Sequence, residues 1–482
     1  MSSAVHHVSG QRASRDIAMQ VIVRVVNLAL GVVVTALLAR MLGTVGYGQW
    51  STDLVILSLV GYFASFGMET VVLREAARDP ESEHEWLGAM MLLRLYMLGP
   101  VVALSALAII LLHQSQQMLV AGLILVITMP FNGVGALQLV FQLRVNNLVP
   151  MLVLTLRSVL WAIAVGVIYW HGSSMVTLAI ALTATNAVGS IVQAVTALRA
   201  TPQRPRPSRR RLRPLLRHGL PLGLSGVLII CYARLDQVIV FTVSGSRAAG
   251  LYGSVYGVLD QAHFVPIAIL TTLTPVMAAA WPMDRARLLR VVRLANELLT
   301  VASLGAVAFA SATAVPLVLL FFGSEFRAAA PALPVLSGAF VFICYGYLNG
   351  ALMAVLGLQT RLLRISLVAL VVNLAGNFIL VPAFGFMGAA WMTLATEVVV
   401  WVLSSRVILH KLELRRPKAG RAGRTVLAAV LLAVELDVLR LLGAPLSLLV
   451  LAACVCYPLL LFGLRALSIE DVRILFRREA LS

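Results

Sequence analysis

Charge is scarce in this 482-residue chain: only 12% of its residues are Asp, Glu, Lys or Arg, about half the share usual in soluble domains. Together with 60% hydrophobic residues, that scarcity excludes an ordinary soluble globule. Lysine is almost missing, Lys411 and Lys418 being the only two. No G-x-x-x-x-G-K-[ST] loop exists, which excludes a Walker-type ATPase, and no H-E-x-x-H zinc motif exists either. The four cysteines, Cys231, Cys344, Cys454 and Cys456, all lie in apolar stretches. The single residue between the last two fits no standard metal or dithiol spacing, so all four read as small apolar packing residues. The first sixteen residues are polar and lack a cleavable signal pattern, which makes the first apolar stretch an uncleaved signal anchor.

Long apolar runs are what the chain has in abundance. Fourteen stretches, from 17–42 and 48–73 to 425–443 and 446–467, are long enough to cross a hydrocarbon core of ~30 Å. The expected fold class is therefore all-α integral membrane, with about 14 transmembrane helices. Alternate gaps between the stretches differ sharply in charge. The gaps on the side of the N-terminus hold most of the 38 lysines and arginines, while the opposite gaps hold only Arg247 and Arg327. Positive charge stays on the side of insertion, which places both termini in the cytoplasm. The net charge of +18 does not imply nucleic acid, because the basic loops carry no interleaved aromatics for stacking on bases. Topology control and contact with anionic membrane lipids account for it. The gaps on the outer side are short, leaving no domain there for polymerisation or hydrolysis.

The most polar internal segment, Arg199 to Arg217, holds eight arginines and closely spaced prolines and reads as a cytoplasmic linker. The expected division is a cytoplasmic N-terminus (1–16), an N-lobe of six crossings (17–198), the basic linker (199–217) and a C-lobe of six crossings (218–410). A second basic loop (411–424), two further crossings (425–467) and an amphipathic cytoplasmic tail (468–482) complete it. Six crossings return each lobe to its starting side, so any repeat is parallel, about an axis along the membrane normal. The halves share a phrase: LGTVGYGQW, with Gly48, follows the first stretch, and SRAAGLYG, with Gly250, follows the seventh.

Ionisable residues inside apolar stretches face a bundle interior or a wet cavity and mark function by default. Arg24, Arg94 and Arg157 follow the starts of stretches one, three and five by seven to nine residues. At ~1.5 Å rise per residue they share a depth of roughly 10 to 14 Å from the cytoplasmic side. Guanidinium groups suit phosphate oxygens, because their planar donor fork stays charged and binds in pairs. The competing reading is that each arginine snorkels to the interface or pairs with a neighbouring acid. In the second half Arg234, Asp236 and Asp260 lie within stretches seven and eight, and Glu397 within stretch twelve. They read as a polar site, a proton- or sodium-responsive element, or an Arg–Asp packing lock. Glu69 and Glu297 read as solvated interfacial acids, Arg40 and Arg440 as snorkelling. His263 reads as a bundle histidine; no metal site is expected.

With these residues in view, LGTVGYGQW, FGMETVVLREAAR from Phe66, RLDQVIVFTVSGSRAAGLYG from Arg234 and LVPAFGFMGAAWMTLATE from Leu380 resemble the polysaccharide-transport family of Wzx-like oligosaccharide flippases. That family belongs to the multidrug/oligosaccharidyl-lipid/polysaccharide exporter superfamily, and the resemblance covers roughly residues 15 to 465. It implies two parallel six-helix lobes around a central cavity plus two C-terminal helices. The implied activity is alternating-access transfer of a polyprenyl-diphosphate-linked oligosaccharide across the bacterial inner membrane, for exopolysaccharide, capsule or O-antigen assembly. It also implies cavity arginines that hold the diphosphate, a role carried onto Arg24, Arg94 and Arg157, with Arg234 as a further cavity cation. A glycan polymerase complex is the expected protein partner. The alternatives are an ion-coupled exporter of small amphipathic cations, which argues for acidic or aromatic cavity walls, and a non-transporting scaffold of a glycan-synthesis complex.

Overall fold

A computed structural model describes residues 10–65, 67–144, 148–172, 174–201, 204–413 and 420–467. The expected amphipathic tail (468–482), the first nine residues and the middle of the second basic loop (414–419) lie outside them. Sixteen α-helices and three short 3-10 turns make up the described chain, with no strand among the described residues. In order these are α1 (Gly10–Ser65), α2 (Met68–Arg78), α3 (Glu83–Leu112), α4 (Gln116–Val126), α5 (Thr128–Gly135), α6 (Leu139–Leu143), α7 (Leu148–His171) and α8 (Met175–Ala200). Then come α9 (Arg209–Ala262), α10 (Phe264–Ala280), α11 (Arg285–Phe322), α12 (Ala332–Val355), α13 (Gln359–Phe384), α14 (Phe386–Lys411), α15 (Gly420–Leu441) and α16 (Leu446–Gly463).

Local chemistry sets several helix starts. Ser115 and Ser174 accept hydrogen bonds from the backbone N–H groups of Met118 and Thr177, each at 3.1 Å, and so cap α4 and α8. Asp284 caps α11 by accepting from Arg287 N at 2.8 Å. Glu83 and Glu85 in the first turn of α3 oppose the positive end of its dipole.

Among the described residues ten helical stretches are long and apolar enough to cross a membrane, so the chain is a multi-pass membrane protein. Two of them, Val23–Phe63 with 41 residues and Gly223–Ala280 with 58, are at least twice the ~20 residues that one crossing needs. Each contains a break at a glycine with positive φ: Gly43 at φ 63° and Gly245 at φ 84°. A Cβ disfavours both conformations, so these glycines are where the runs turn. The expected fourth crossing (118–142) is divided among α4, α5, a 3-10 turn and α6. The expected thirteenth falls on α15, which carries Arg421, Arg424, Glu435, Asp437 and Arg440.

The chain divides into two compact units. One comprises Met1–Leu42 and Thr52–Val227, the other Gly43–Ser51 and Leu228–Ser482. In the N-terminal unit, Met68, Val71 and Val72 of α2 pack with Trp86, Leu87, Met90 and Leu93 of α3, Leu139 and Phe141 of α6, and Leu215 of α9. Leu215 corrects the reading of 199–217 as linker throughout. Helix α9 starts at Arg209, inside that basic stretch, and Leu215 is fully buried in this core. The arginines do not prevent this, because they leave apolar positions Leu212 and Leu215 on one helical face. Arg211 bonds Glu85 at 2.8 Å while its guanidinium stands 4.9 Å from the centre of the Trp86 ring.

In the C-terminal unit, α15 and α16 pack on α11 through Leu432, Leu436 and Leu449 against Ala308 and Ala312. The Tyr457 ring fills the space beside Gly305, where a Cβ would stand 2.6 Å from it, and its hydroxyl donates to the Val301 carbonyl at 2.7 Å. Small residues along one face of α11 thus admit the final helix pair, as is usual where helices meet in a membrane. The short segment Gly43–Ser51 belongs to this unit as well. Tyr47 meets Phe326 edge to face at 6.0 Å, and Gln237 Nε2 donates to Ser51 Oγ at 3.1 Å.

Candidate functional site

In the N-terminal unit α1 and α7 are joined by Asn27, whose amide donates to Thr155 Oγ1 and to the Val23 carbonyl, both at 2.8 Å. Arg24 lies one turn before Asn27, and Arg157 two residues after Thr155. The bridge thus sets two of the three expected arginines on adjacent helices, Arg157 lying about 200° round α7 from Thr155 and turned toward α8. Arg157 lays its aliphatic stem on Gly189 of α8, where a Cβ would stand 3.1 Å from its Cδ. Neither arginine has an acidic partner among the described residues.

Arg94 is bound differently. Its guanidinium donates to Glu69 at 2.6 Å and to the Gly133 carbonyl at 3.0 Å, and its side chain is 9% exposed. Glu69, expected to be solvated, is thus an ion-pair partner tying α2 to α3. Glu297 likewise receives Arg421 at 3.1 Å. Arg440, expected to snorkel, donates to the Ala312 carbonyl at 3.1 Å and pairs with Asp437 at 3.0 Å. In each case the partner sits on a neighbouring helix or one turn away, a proximity that stretch-by-stretch reading does not reveal.

The C-terminal unit holds a denser polar cluster. Arg234 and Asp260, both on α9, form a two-pronged salt bridge at 2.8 and 2.9 Å. The Arg234 guanidinium carbon stands 5.1 Å from the centre of the Tyr256 ring, whose hydroxyl donates to the Ala233 carbonyl at 2.7 Å. The fork is satisfied in plane by a carboxylate and in part from above by a ring face. Asp236, two residues on, is buried. Its Oδ1 accepts from the Gln237 backbone N–H at 2.7 Å, and its Oδ2 from the Tyr252 hydroxyl and from Thr393 Oγ1 of α14 at 3.1 Å.

Beside it, Asn373 of α13 donates to Thr396 Oγ1 at 3.2 Å, and Asn377 donates back to Asn373 Oδ1 at 3.0 Å. Glu397, 9% exposed, lies opposite Gly346 of α12, where a Cβ would stand 3.8 Å from Oε2. It accepts no hydrogen bond among the described residues. His263 is ring-packed against Phe340 and Tyr347, with Nδ1 4.0 Å from Asp260.

Sequence reasoning restricted to charged residues missed Asn373, Asn377, Thr393 and Thr396. Their signal was present: an Asn pair at i and i+4 in one apolar stretch, and two threonines just before Glu397 in the next. It also missed Asp53, five residues into the second apolar stretch.

Comparison with known proteins places this geometry. No curated protein matches the sequence. Residues 13–281 match the family model described as polysaccharide biosynthesis protein. Among solved structures, the chain is similar to the lipid II flippase MurJ in an inward closed conformation, with a TM-score of 0.67 and 12% identity, covering 96% of this chain and 100% of that one. An inward-facing multidrug resistance MATE family transporter of the MOP superfamily gives a TM-score of 0.65 at 18% identity, covering 81% of this chain and 98% of that one. A MOP superfamily transporter from Pyrococcus furiosus gives 0.60 at 19%, covering 82% and 95%. At these identities the likeness establishes the fold and leaves residue roles to this chain's own chemistry. The match over more than half of the sequence and the shared architecture agree: this chain is a member of the polysaccharide biosynthesis protein family, with the membrane-transporter fold of the multidrug/oligosaccharidyl-lipid/polysaccharide exporter superfamily.

Proposed function

We propose that this protein moves a polyprenyl-diphosphate-linked oligosaccharide across the bacterial inner membrane by alternating access, with both termini in the cytoplasm. The product would feed exopolysaccharide, capsule or O-antigen assembly, and a glycan polymerase complex would take it up on the far side. The observation that carries this reading is the pair Arg24 and Arg157. They are guanidinium groups on the two membrane helices that the Asn27–Thr155 bond joins, and neither has a carboxylate partner among the described residues. Even a half-buried cation left without an acid in an apolar bundle is costly unless an anion completes it. A diphosphate offers several oxygens to two planar forks.

Arg94 enters the same set as a charge held in place by Glu69 and the Gly133 carbonyl. Arg234, locked by Asp260, is a cavity cation of the C-terminal unit. Asp236, Asp260 and Glu397 are the candidate responders to a proton or sodium gradient. Replacing Arg24 and Arg157 together by Gln tests the reading in cells. Export of the lipid-linked glycan is expected to stop while the protein still inserts at parental level; export at the parental rate would reject the pair as the anion site.

A second reading, export of small amphipathic cations coupled to an ion gradient, draws support from Glu397, a buried carboxyl that accepts no hydrogen bond among the described residues. Deletion discriminates the two: altered drug susceptibility with intact surface glycan favours the cation exporter, and loss of surface glycan favours the flippase.

A further inference from the structure

Asp53 stands on α1 ten residues beyond the Gly43 break, and none of it is exposed. Neither of its carboxyl oxygens has a hydrogen-bond partner among the described residues. The carboxyl is pressed against the bare α-carbon of Gly122 on α4: a Cβ there would stand 3.1 Å from Oδ2 and 3.2 Å from the carboxyl carbon. The same position would meet Ile109 of α3 at 2.7 Å, so Ile109 lies alongside. One turn before Ile109, on the same face of α3, Ser105 is also fully buried, and its hydroxyl also lacks a partner among the described residues. Two unsatisfied polar groups thus occupy one otherwise apolar part of the N-terminal unit.

Among the described residues no ion pair holds Asp53. From Met41 to Ser65 it is the only acid or base on α1, where the other titratable groups are the phenols of Tyr47 and Tyr62. Neither α4 nor α5 carries an ionisable residue, and α3 carries none from Pro100 to Leu112. Its nearest one along that helix besides Tyr96 is Arg94, which Glu69 already binds. Helix α8, which meets α4 where Thr183 donates to the Ile124 carbonyl, has Arg199 as its only charge, at its far end. An ionised carboxylate here would have neither a donor nor a counter-ion, whereas the acid form carries no net charge and needs only an acceptor for its O–H. Gly122 and Ile109 occupy the space beside the carboxyl where the further oxygens of a hard-cation shell would stand.

We propose that Asp53 is a proton-binding site of the N-terminal unit, holding its proton while α3 and α4 pack against it and releasing it when water reaches the Gly122–Ile109 face. The proton is taken by a carboxyl oxygen and returned to water, and no other bond changes. This goes beyond the flippase reading, and it is tested with no substrate present.

The test is infrared spectroscopy of the purified protein in liposomes at neutral pH in sodium-free buffer, with the C=O stretch of protonated aspartic acid assigned by 13C-aspartate labelling. The expected spectrum shows such a band in the parental protein and in Asp236→Asn, and loses it in Asp53→Asn. Replacing Ser105 by Ala, a change of small volume that leaves every carboxyl in place, is expected to shift the same band, which assigns it even where Asp53→Asn does not fold. A parental protein with no protonated aspartate band overturns the proposal. So does a band that survives in folded Asp53→Asn unshifted by Ser105→Ala, or one that disappears when sodium chloride replaces choline chloride, since sodium then occupies the site.

Discussion

Gly48 and Gly250 exclude side chains at each other's crossing: a Cβ on Gly48 would overlap the Ser246 carbonyl oxygen, and a Cβ on Gly250 would overlap the Thr44 carbonyl oxygen. The relationship is reciprocal in register. Each glycine stands five residues after a helix break, at Gly43 and Gly245, and each meets the carbonyl of the residue that follows the other break. A local twofold between the two turns gives physical content to the phrase shared by LGTVGYGQW and SRAAGLYG.

Because the obstacle at this crossing is backbone, it cannot move aside as a side chain can. Gly48→Ala and Gly250→Ala are each expected to destabilise the protein by about 1–3 kcal/mol or more, the range for overpacking. Gly350→Ala and Gly166→Ala are the controls. Both lie inside helices with open space around a new Cβ, and alanine there should be neutral or stabilising by up to ~1 kcal/mol. Thermal unfolding followed by size-exclusion chromatography in detergent separates the two pairs. Equal melting of all four variants would refute the close crossing.

Arg94 and Glu69 should show coupling. Removing the guanidinium in Arg94→Gln strips Glu69 and the Gly133 carbonyl of a donor, and is expected to lower stability by about 1–3 kcal/mol. The figure stays below that of a fully buried pair because Glu69 is 38% exposed. The double variant Arg94→Gln/Glu69→Gln should recover part of the loss. If Arg94 also serves the anionic cargo, the double variant regains stability without regaining glycan export. Recovery of both would leave Arg94 a packing role alone.

The Asp236 cluster is expected to respond to loss of a single donor. Tyr252→Phe removes the hydroxyl that donates to Oδ2 and leaves Thr393 and the Gln237 N–H in place. A loss of about 1–2 kcal/mol is expected from that one bond. Asp236→Asn should make initial transport rates insensitive to an imposed proton or sodium gradient that alters the parental rate. A gradient response equal to that of the parent would remove Asp236 from the coupling role.

Lysine in place of Arg234 keeps the charge but loses the fork that meets both oxygens of Asp260 and stacks on Tyr256. Arg234→Lys is therefore expected to be destabilising by about 1–3 kcal/mol. Arg204→Lys, at an exposed linker position, should stay within about 0.5 kcal/mol. Parallel melting curves check the difference.

The helical membrane class was legible because a membrane demands long apolar runs, a constraint written along the chain and independent of folding detail. Arg24 and Arg157 were legible for the same reason, since a charge in such a run stands out. Partners were not. That Glu69 reaches Arg94, or that Tyr252 and Thr393 converge on Asp236, depends on which helices are neighbours, and periodicity in a nearly uniform apolar helix says little about its facing. Asp53 was missed because it lies close to the start of its stretch, where a carboxylate ordinarily meets water; its burial by Gly122 and Ile109 is a property of packing. The basic stretch before Arg217 misled in the opposite way, its arginines masking the leucine face that docks on the N-terminal core.

The most direct test of the account is leaflet-resolved movement of a fluorescent polyprenyl-diphosphate sugar in proteoliposomes holding the parental protein or the Arg24→Gln/Arg157→Gln variant. The account predicts transfer by the parent, and by the variant no more than in protein-free liposomes, with both proteins inserted and melting alike. A parent that moves none of the lipid, or a variant that moves it as fast as the parent, would contradict the account.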